Sequence, residues 1–78
     1  MKEKQACVVV TFYTTAEAMA TKKLCQQQNI PGRLFSAPRS LSADCGIAWR
    51  SSAELRERIH DALTGAGIEF AGLHELML

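Results

Sequence analysis

The sequence predicts an α+β domain with the element order β-α-β-β-α-β. This is the ferredoxin-like sandwich, in which a four-stranded antiparallel sheet carries two helices on one face. Three observations predict it. The chain has 78 residues, the size of one small domain. A strand-like segment, a capping motif, an apolar helical stripe and a helix stop follow one another in the first half, and the same plan recurs in the second. Two short apolar runs flank a polar loop between the helical segments, as in a hairpin.

The first half begins with a strand over residues 6–13, which are rich in β-branched and aromatic side chains. The run is apolar on both alternating faces, which is typical of a central strand. Thr14 and Glu17 then have the spacing of a capping box that opens a helix. Asn29, followed by the dipeptide at 31–32, ends that helix. The predicted apolar stripe of the helix consists of Ala16, Met19, Ala20 and Leu24.

The middle of the chain predicts two strands joined by a polar loop. The second strand covers residues 33–37, and Pro38 indicates an edge strand or the end of a strand because it lacks the backbone donor. The loop then runs to Cys45, and residues 46–50 form the third strand.

The second helix and the last strand repeat the first plan. Ser51 and Glu54 have the spacing of a second capping box, and Gly67 ends the helix. The fourth strand covers residues 69–76, where Gly72 is a candidate β-bulge. The predicted stripe of this helix consists of Leu55, Ile59, Ala62 and Ala66, with Leu63 at its margin.

Composition excludes several classes of function. The net charge is +1 and the basic residues are spread along the chain, which predicts no nucleic-acid partner. Residues 1–5 are charged and predict a loose N-terminal segment of a single domain, 1–78. The apolar run at residues 6–10 is too short for a signal core or a membrane span, so we expect a cytoplasmic protein. The three cysteines lack metal-type spacing, so we expect free thiols, no metal and no cofactor.

Cys45 is the candidate catalytic residue. It ends a polar loop, and Gly46 leaves one of its flanks without side-chain cover. Arg39 and Arg50 flank it in sequence and would favour its thiolate, the nucleophilic form, whereas Asp44 would oppose it. The alternative is a small buried residue at the start of a strand, since free cysteine is often buried.

The other cysteines and the histidines are weaker candidates. Cys7 lies within the central strand and is predicted to pack there. Cys25 lies away from the predicted apolar stripe and is expected on the helix surface. Nothing in the sequence places His60 or His74 beside Cys45, so a Cys–His nucleophile pair is unsupported.

Three arginines surround the loop in sequence. Arg33, Arg39 and Arg50 would bind an anion or support the thiolate, because guanidinium groups match oxyanions. The alternative is surface hydrogen bonding. The residues predicted to shape the loop are Ser40, Ser42, Asp44 and Gly46.

Three segments of the sequence resemble a family of small bacterial domains described as selenium/sulfur carrier-like proteins. They are residues 30–34, 38–50 and 67–76, and the second is the most specific, with Pro-Arg-Ser at its start and Cys-Gly-Ile-Ala-Trp-Arg at its end. The resemblance covers the chain from about Val8 to Leu76. It implies that Cys45 holds sulfur or selenium as a persulfide or perselenide and passes it on.

Two functions follow from these observations. A carrier would take the chalcogen from a donor such as a cysteine desulfurase and deliver it to an acceptor protein, through a covalent intermediate and without being a self-sufficient enzyme. The alternative is a non-catalytic ferredoxin-like binding or dimerisation module that senses a small anionic ligand, with Cys45 structural. The sheet face without helices would carry one apolar side of the central strand, which predicts a homodimer through that open face.

Overall fold

The computed structural model describes residues 4–41 and 45–78 and has the predicted element order. A single turn of 3₁₀ helix, Ala53–Leu55, precedes the second helix. The elements are β1 (Ala6–Thr11), α1 (Thr15–Gln27), β2 (Arg33–Ser36), β3 (Ile47–Ser52), α2 (Arg56–Ala66) and β4 (Gly72–Met77).

The four strands form one antiparallel sheet in the order β2-β3-β1-β4. β1 and β3 are the central strands, and Val10 of β1 lies opposite Trp49 of β3 and Leu73 of β4. The ferredoxin-like prediction is therefore confirmed. The register between β1 and β4 runs without interruption to the pair of Thr11 and Gly72, so no bulge interrupts the ladder within β4, and this strand begins at Gly72 and not at residue 69.

Helix α1 begins and ends as predicted. The Thr14 hydroxyl accepts from the Glu17 backbone N–H at 3.3 Å, and the Glu17 carboxylate accepts from the Thr14 N–H at 3.2 Å, which completes the capping box. After the helix, Asn29 takes the left-handed conformation with φ of 55°.

The buried face of α1 differs from the predicted stripe. Ala18, Thr21 and Cys25 face the sheet, whereas Met19 is 49% exposed. Thr21 can be buried because its hydroxyl donates to the Glu17 carbonyl at 3.0 Å. The hydroxyl therefore needs no water, and the inward face is centred on a polar residue.

The start of α2 also differs, because Ser51 does not cap it. Ser51 is a buried residue of β3 whose hydroxyl donates to the Pro31 carbonyl at 2.7 Å and accepts from the Trp49 indole at 2.8 Å. With the hydroxyl used in this way, β3 continues to Ser52 and the second capping box does not form. Gly67 ends α2 in the left-handed conformation, as predicted.

Both helices pack on one face of the sheet, and their apolar side chains form a single core. Its buried members are Val8, Val10, Phe12, Ala18, Cys25, Ile30, Trp49, Ile59 and Leu63. Across residues 4–41 and 45–78, neither helix is long and apolar enough to cross a membrane.

The opposite face of the sheet, here called the open face, is also covered along its central strand. Cys7, Val9 and Thr11 are at most 5% exposed. Val9 lies between Arg50 on one side and His74 on the other, and these side chains reach the two neighbours of Val9 on β1. Long polar side chains from β3 and β4 therefore cover the apolar residues of β1 on this face.

Candidate functional site

The loop that carries Cys45 joins β2 to β3 and is closed at its base by the sheet. The Ala37 N–H donates to the Gly46 carbonyl at 2.9 Å and extends the ladder of the two strands by one step. On the β2 side the chain turns at once, since the Leu41 N–H donates to the Pro38 carbonyl at 2.9 Å. Cys45 therefore lies next to the base of the loop, directly before the residue that pairs with Ala37.

Gly46 joins Cys45 to β3 through a left-handed backbone conformation. Its φ is 74°, in the left-handed region that other residues enter only at a cost. An added Cβ would meet no atom within 4 Å, so the requirement for glycine is conformational and not steric.

The Cys45 thiol lies at the edge of the helix-side core. The residue is half-buried and packs against the core cluster. Its Sγ is 3.3 Å from the Ile47 carbonyl oxygen and 3.5 Å from the Phe12 carbonyl oxygen. A thiol has one proton and is a weak donor, so it can donate to only one of these two carbonyls at a time. The contact with Phe12 also places Cys45 beside the segment that leads from β1 into α1.

The three cysteines differ in exposure. Cys7 is 5% exposed and Cys25 is 1% exposed, whereas Cys45 is half-buried. Burial raises the pKa of the Cys25 thiol to about 11, although the positive charge of Arg58 acts in the opposite direction. The expectation of a surface thiol at Cys25 was wrong, because this position belongs to the inward face of α1. Cys45 is the most accessible of the three thiols.

Arg50 does not lie on the side of the sheet that Cys45 faces. Its guanidinium carbon is 5.6 Å from the Phe35 ring centroid, and its Nη2 is 3.7 Å from the Cys7 Sγ. These contacts are on the open face, where Arg33 is the register partner of Arg50. The structure therefore brings Arg50 to Cys7, although the sequence pointed to Cys45.

The remaining predicted site residues lie in the loop. Arg39 and Ser40 are exposed in the turn at residues 38–41. Ser42 and Asp44, which were predicted to shape the loop, lie outside the described residues.

Each histidine has a neighbour other than Cys45. The His60 Nδ1 is 3.5 Å from an Asp61 carboxylate oxygen, and its ring meets the Phe70 ring edge-on at 6.2 Å. The His74 Nε2 is 3.5 Å from the Thr11 hydroxyl on the open face. Within the described part of the chain, neither ring forms a hydrogen bond with the Cys45 thiol.

The grouping of Cys7 with Arg50 was missed from the sequence. Both residues have the strand parity that places them on the open face, and this parity can be read from the alternation. Their contact depends on the register of β1 against β3, in which Val9 is opposite Arg50. Nothing in the sequence sets that register before the sheet is known.

Fold and site together define a class: a small α+β domain with one partly exposed thiol at the end of a hairpin loop. The model of the family described as "Putative Se/S carrier protein-like" matches residues 7–75, so the chain belongs to that family. The match includes Cys45 and the three arginines of the candidate site. No curated protein and no solved structure gives a significant match.

Proposed function

We propose that the protein carries sulfur or selenium on Cys45, as a persulfide or perselenide, and passes the atom to an acceptor protein. Membership of the carrier family supports a carrier role in general. The observation that carries the proposal is the exposure of the three cysteines: Cys7 and Cys25 are buried, whereas Cys45 is half-buried at the end of a loop. Such a position suits a group that must meet two different proteins.

The proposed loading step is a thiol exchange. The Cys45 sulfur attacks the outer sulfur of a donor persulfide, a new S–S bond forms, and the S–S bond of the donor breaks. The donor leaves as a thiol and takes up the proton that Cys45 gives up. One S–S bond replaces another, so no external oxidant or reductant is needed. In the delivery step an acceptor nucleophile attacks the outer atom and releases the Cys45 thiol. Selenium in place of the outer sulfur follows the same balance.

The hydrogen bonds of the thiol give this cycle a resting position. In that position the S–H donates to the carbonyl of Ile47 or to that of Phe12. Rotation about the Cα–Cβ bond would release the sulfur from these contacts and give up only one weak hydrogen bond.

The donor and the acceptor would both bind at the loop end of the sheet. Arg39 and Ser40 are exposed there, and Tyr13, which follows the carbonyl in contact with Cys45, is 54% exposed. A protein that carries a persulfide at its surface, such as a cysteine desulfurase, is the proposed donor. Arg39 is the arginine of the loop that remains available for thiolate support or for contact with a partner.

The test is intact mass spectrometry of the protein after incubation with a cysteine desulfurase and cysteine. We expect the mass of one added sulfur atom, which a reductant removes. Cys45→Ser should abolish the addition, and the matched variant Cys7→Ser should retain it. If Cys45→Ser is loaded as fully as the parent protein, the proposal is wrong. If no form is loaded although the desulfurase loads a known acceptor, the carrier role for this donor is also rejected.

The homodimer through the open face stays a prediction. The reason to expect it was exposed apolar surface on that face, and this reason is weaker than the sequence suggested. The apolar residues of β1 on that face are already covered by Arg50 and His74. Sedimentation of the protein over a range of concentrations tests it, and a monomer throughout would reject the dimer.

A further inference from the structure

A cleft of about 350 Å³ lies on the open face, at the end of the sheet away from the Cys45 loop. The segment between α1 and β2 forms one wall, and the last residues of β3 form the other. The chemical groups that line it include Cys7, Arg33 and Arg50, together with Ser52. No part of the proposed carrier cycle uses these residues.

The two arginines of the cleft are direct neighbours of like charge. Arg33 and Arg50 are register partners on adjacent antiparallel strands, an arrangement that is unfavourable for two cations. Within residues 4–41 and 45–78, neither guanidinium lies within 4 Å of a carboxylate oxygen. An anion between them would remove the repulsion and provide acceptors for both forks.

Arg50 is held in place before any ligand binds. Its guanidinium lies against the Phe35 ring, with 5.6 Å to the centroid, and its Nη2 contacts the Cys7 sulfur at 3.7 Å. These contacts restrict a side chain that would otherwise lose rotamer freedom on binding. Cys7 is 5% exposed, so it forms part of the floor of the cleft and is not open to solvent as a nucleophile.

The opposite wall is fixed by close backbone packing. Gly32 lies so near β3 that an added Cβ would be 2.5 Å from the Arg50 carbonyl oxygen and would also collide with the Ser51 hydroxyl. That hydroxyl donates to the Pro31 carbonyl, which ties the wall to β3. The two walls therefore meet at Gly32 and Ser51, and their relative position is set by the fold.

We propose that this cleft is a binding site for a small tetrahedral oxyanion such as sulfate or phosphate, held by the guanidinium groups of Arg33 and Arg50. The anion lies between the two forks, with the Ser52 end of β3 beside it. The site is separate from Cys45, because it is on the other face and at the other end of the sheet. Cys7 lies at the cleft end of β1, and Thr11 lies at the end of β1 near Cys45. These two residues of β1 are four strand steps apart, roughly 13 Å. The inference does not depend on the carrier role.

The experiment is an amide NMR titration of the whole protein with sodium sulfate and with sodium phosphate at constant ionic strength, maintained with sodium chloride. We expect saturable shifts of the Gly32, Arg33 and Ser52 amides. Arg33→Gln should weaken binding about tenfold or more, since hydrogen bonds to charged groups contribute that much. Arg39→Gln is the matched control, because it removes the same charge from the other end of the sheet, and it should bind as the parent does.

Three results would overturn the inference. One is a shift that rises linearly with either anion and never saturates. Another is an equal loss of affinity in Arg33→Gln and Arg39→Gln, which would show that only net charge matters. The third is unchanged binding in Arg33→Gln. Arg33 is exposed at the sheet edge, so this variant should fold even if Arg50→Gln does not. Cys45→Ser should bind the anion normally, which separates failure of this site from failure of the carrier proposal.

Discussion

Arg50 contacts Cys7 across the two central strands, with 3.7 Å between Nη2 and Sγ, although 43 positions separate the residues in sequence. Arg50 is the first arginine after Cys45 in the sequence, and yet it contacts a different cysteine on the opposite face of the sheet. The two thiols therefore have different surroundings. One thiol is covered by a guanidinium group, and the other lies against backbone carbonyls.

Replacing Arg50 with Gln should change the accessibility of Cys7 and leave that of Cys45 unchanged. The shorter side chain withdraws cover from Cys7, so Cys7 should be alkylated faster, whereas the Cys45 contacts with Phe12 and Ile47 stay intact. Site-resolved alkylation followed by mass spectrometry measures both rates. Arg56→Gln is the control, since this exposed arginine pairs with Glu75. A slower Cys45 in Arg50→Gln alone would show that Arg50 does support that thiol.

The three thiols should react with a neutral alkylating agent in the order Cys45, Cys7, Cys25. Cys45 is half-buried, whereas the other two must wait for local opening of the sheet or of α1. The raised pKa of Cys25, about 11, further reduces its thiolate fraction at neutral pH. The rates are measured by peptide mass spectrometry, first in buffer and then in denaturant, where the order should disappear. Equal labelling of Cys25 and Cys45 in buffer would contradict the burial of Cys25 on the inward face of α1.

The stability of the protein should fall at alkaline pH because of Cys25. Its ordinary pKa of 9.0 is raised to about 11 in the fold, chiefly by burial. Below pH 9 the thiol is protonated in both states; above it the unfolded chain loses the proton first, so the free energy of unfolding declines until pH 11. Two pKa units correspond to an upper value of about 2.7 kcal/mol. Denaturant unfolding between pH 8 and 11 measures this decline.

Cys25→Ala is the matched variant for that experiment. It is less stable at every pH because it leaves a cavity, so the comparison concerns the slope and not the absolute value. The two proteins share every other ionisable group. Identical slopes in the two proteins would show that Cys25 does not cause the decline.

Gly32→Ala should destabilise the protein by about 1–3 kcal/mol, because the new methyl group would lie 2.5 Å from the Arg50 carbonyl oxygen and backbone must move. Gly65→Ala in α2 is the control. An added Cβ there meets nothing within 4 Å, and alanine favours the helix by up to about 1 kcal/mol. Thermal unfolding of both variants provides the comparison. Equal melting temperatures for Gly32→Ala and the parent would show that the wall of the cleft at Gly32 moves away from β3 with little loss of stability.

The order of elements could be predicted from the sequence because each rests on local chemistry. The Thr14 cap, the Asn29 and Gly67 stops and the alternation of β1 require only near neighbours. The wrong apolar stripe in α1 and the absent capping box of α2 have one cause. Thr21 and Ser51 carry hydroxyls that are satisfied inside the fold, and sequence patterns treat such residues as outward-facing or as caps.

The candidate site was predicted less completely. Cys45 could be chosen as the candidate thiol from its loop and from the family resemblance, but the partners of the arginines could not be predicted. Arg33 and Arg50 become neighbours only when β2 pairs with β3 in the observed register. Cys25 was misplaced because its helix turns a mixed face, and not an apolar stripe, toward the sheet.

The indole of Trp49 makes the protein its own optical probe. It is the single tryptophan, it is 2% exposed, and its N–H donates to the Ser51 hydroxyl that joins β3 to the segment before β2. A buried indole emits at shorter wavelength than a hydrated one, so loss of this connection should shift the emission to the red. Intrinsic fluorescence can therefore follow the release of the cleft wall without a label, and separately from circular dichroism, which follows the helices.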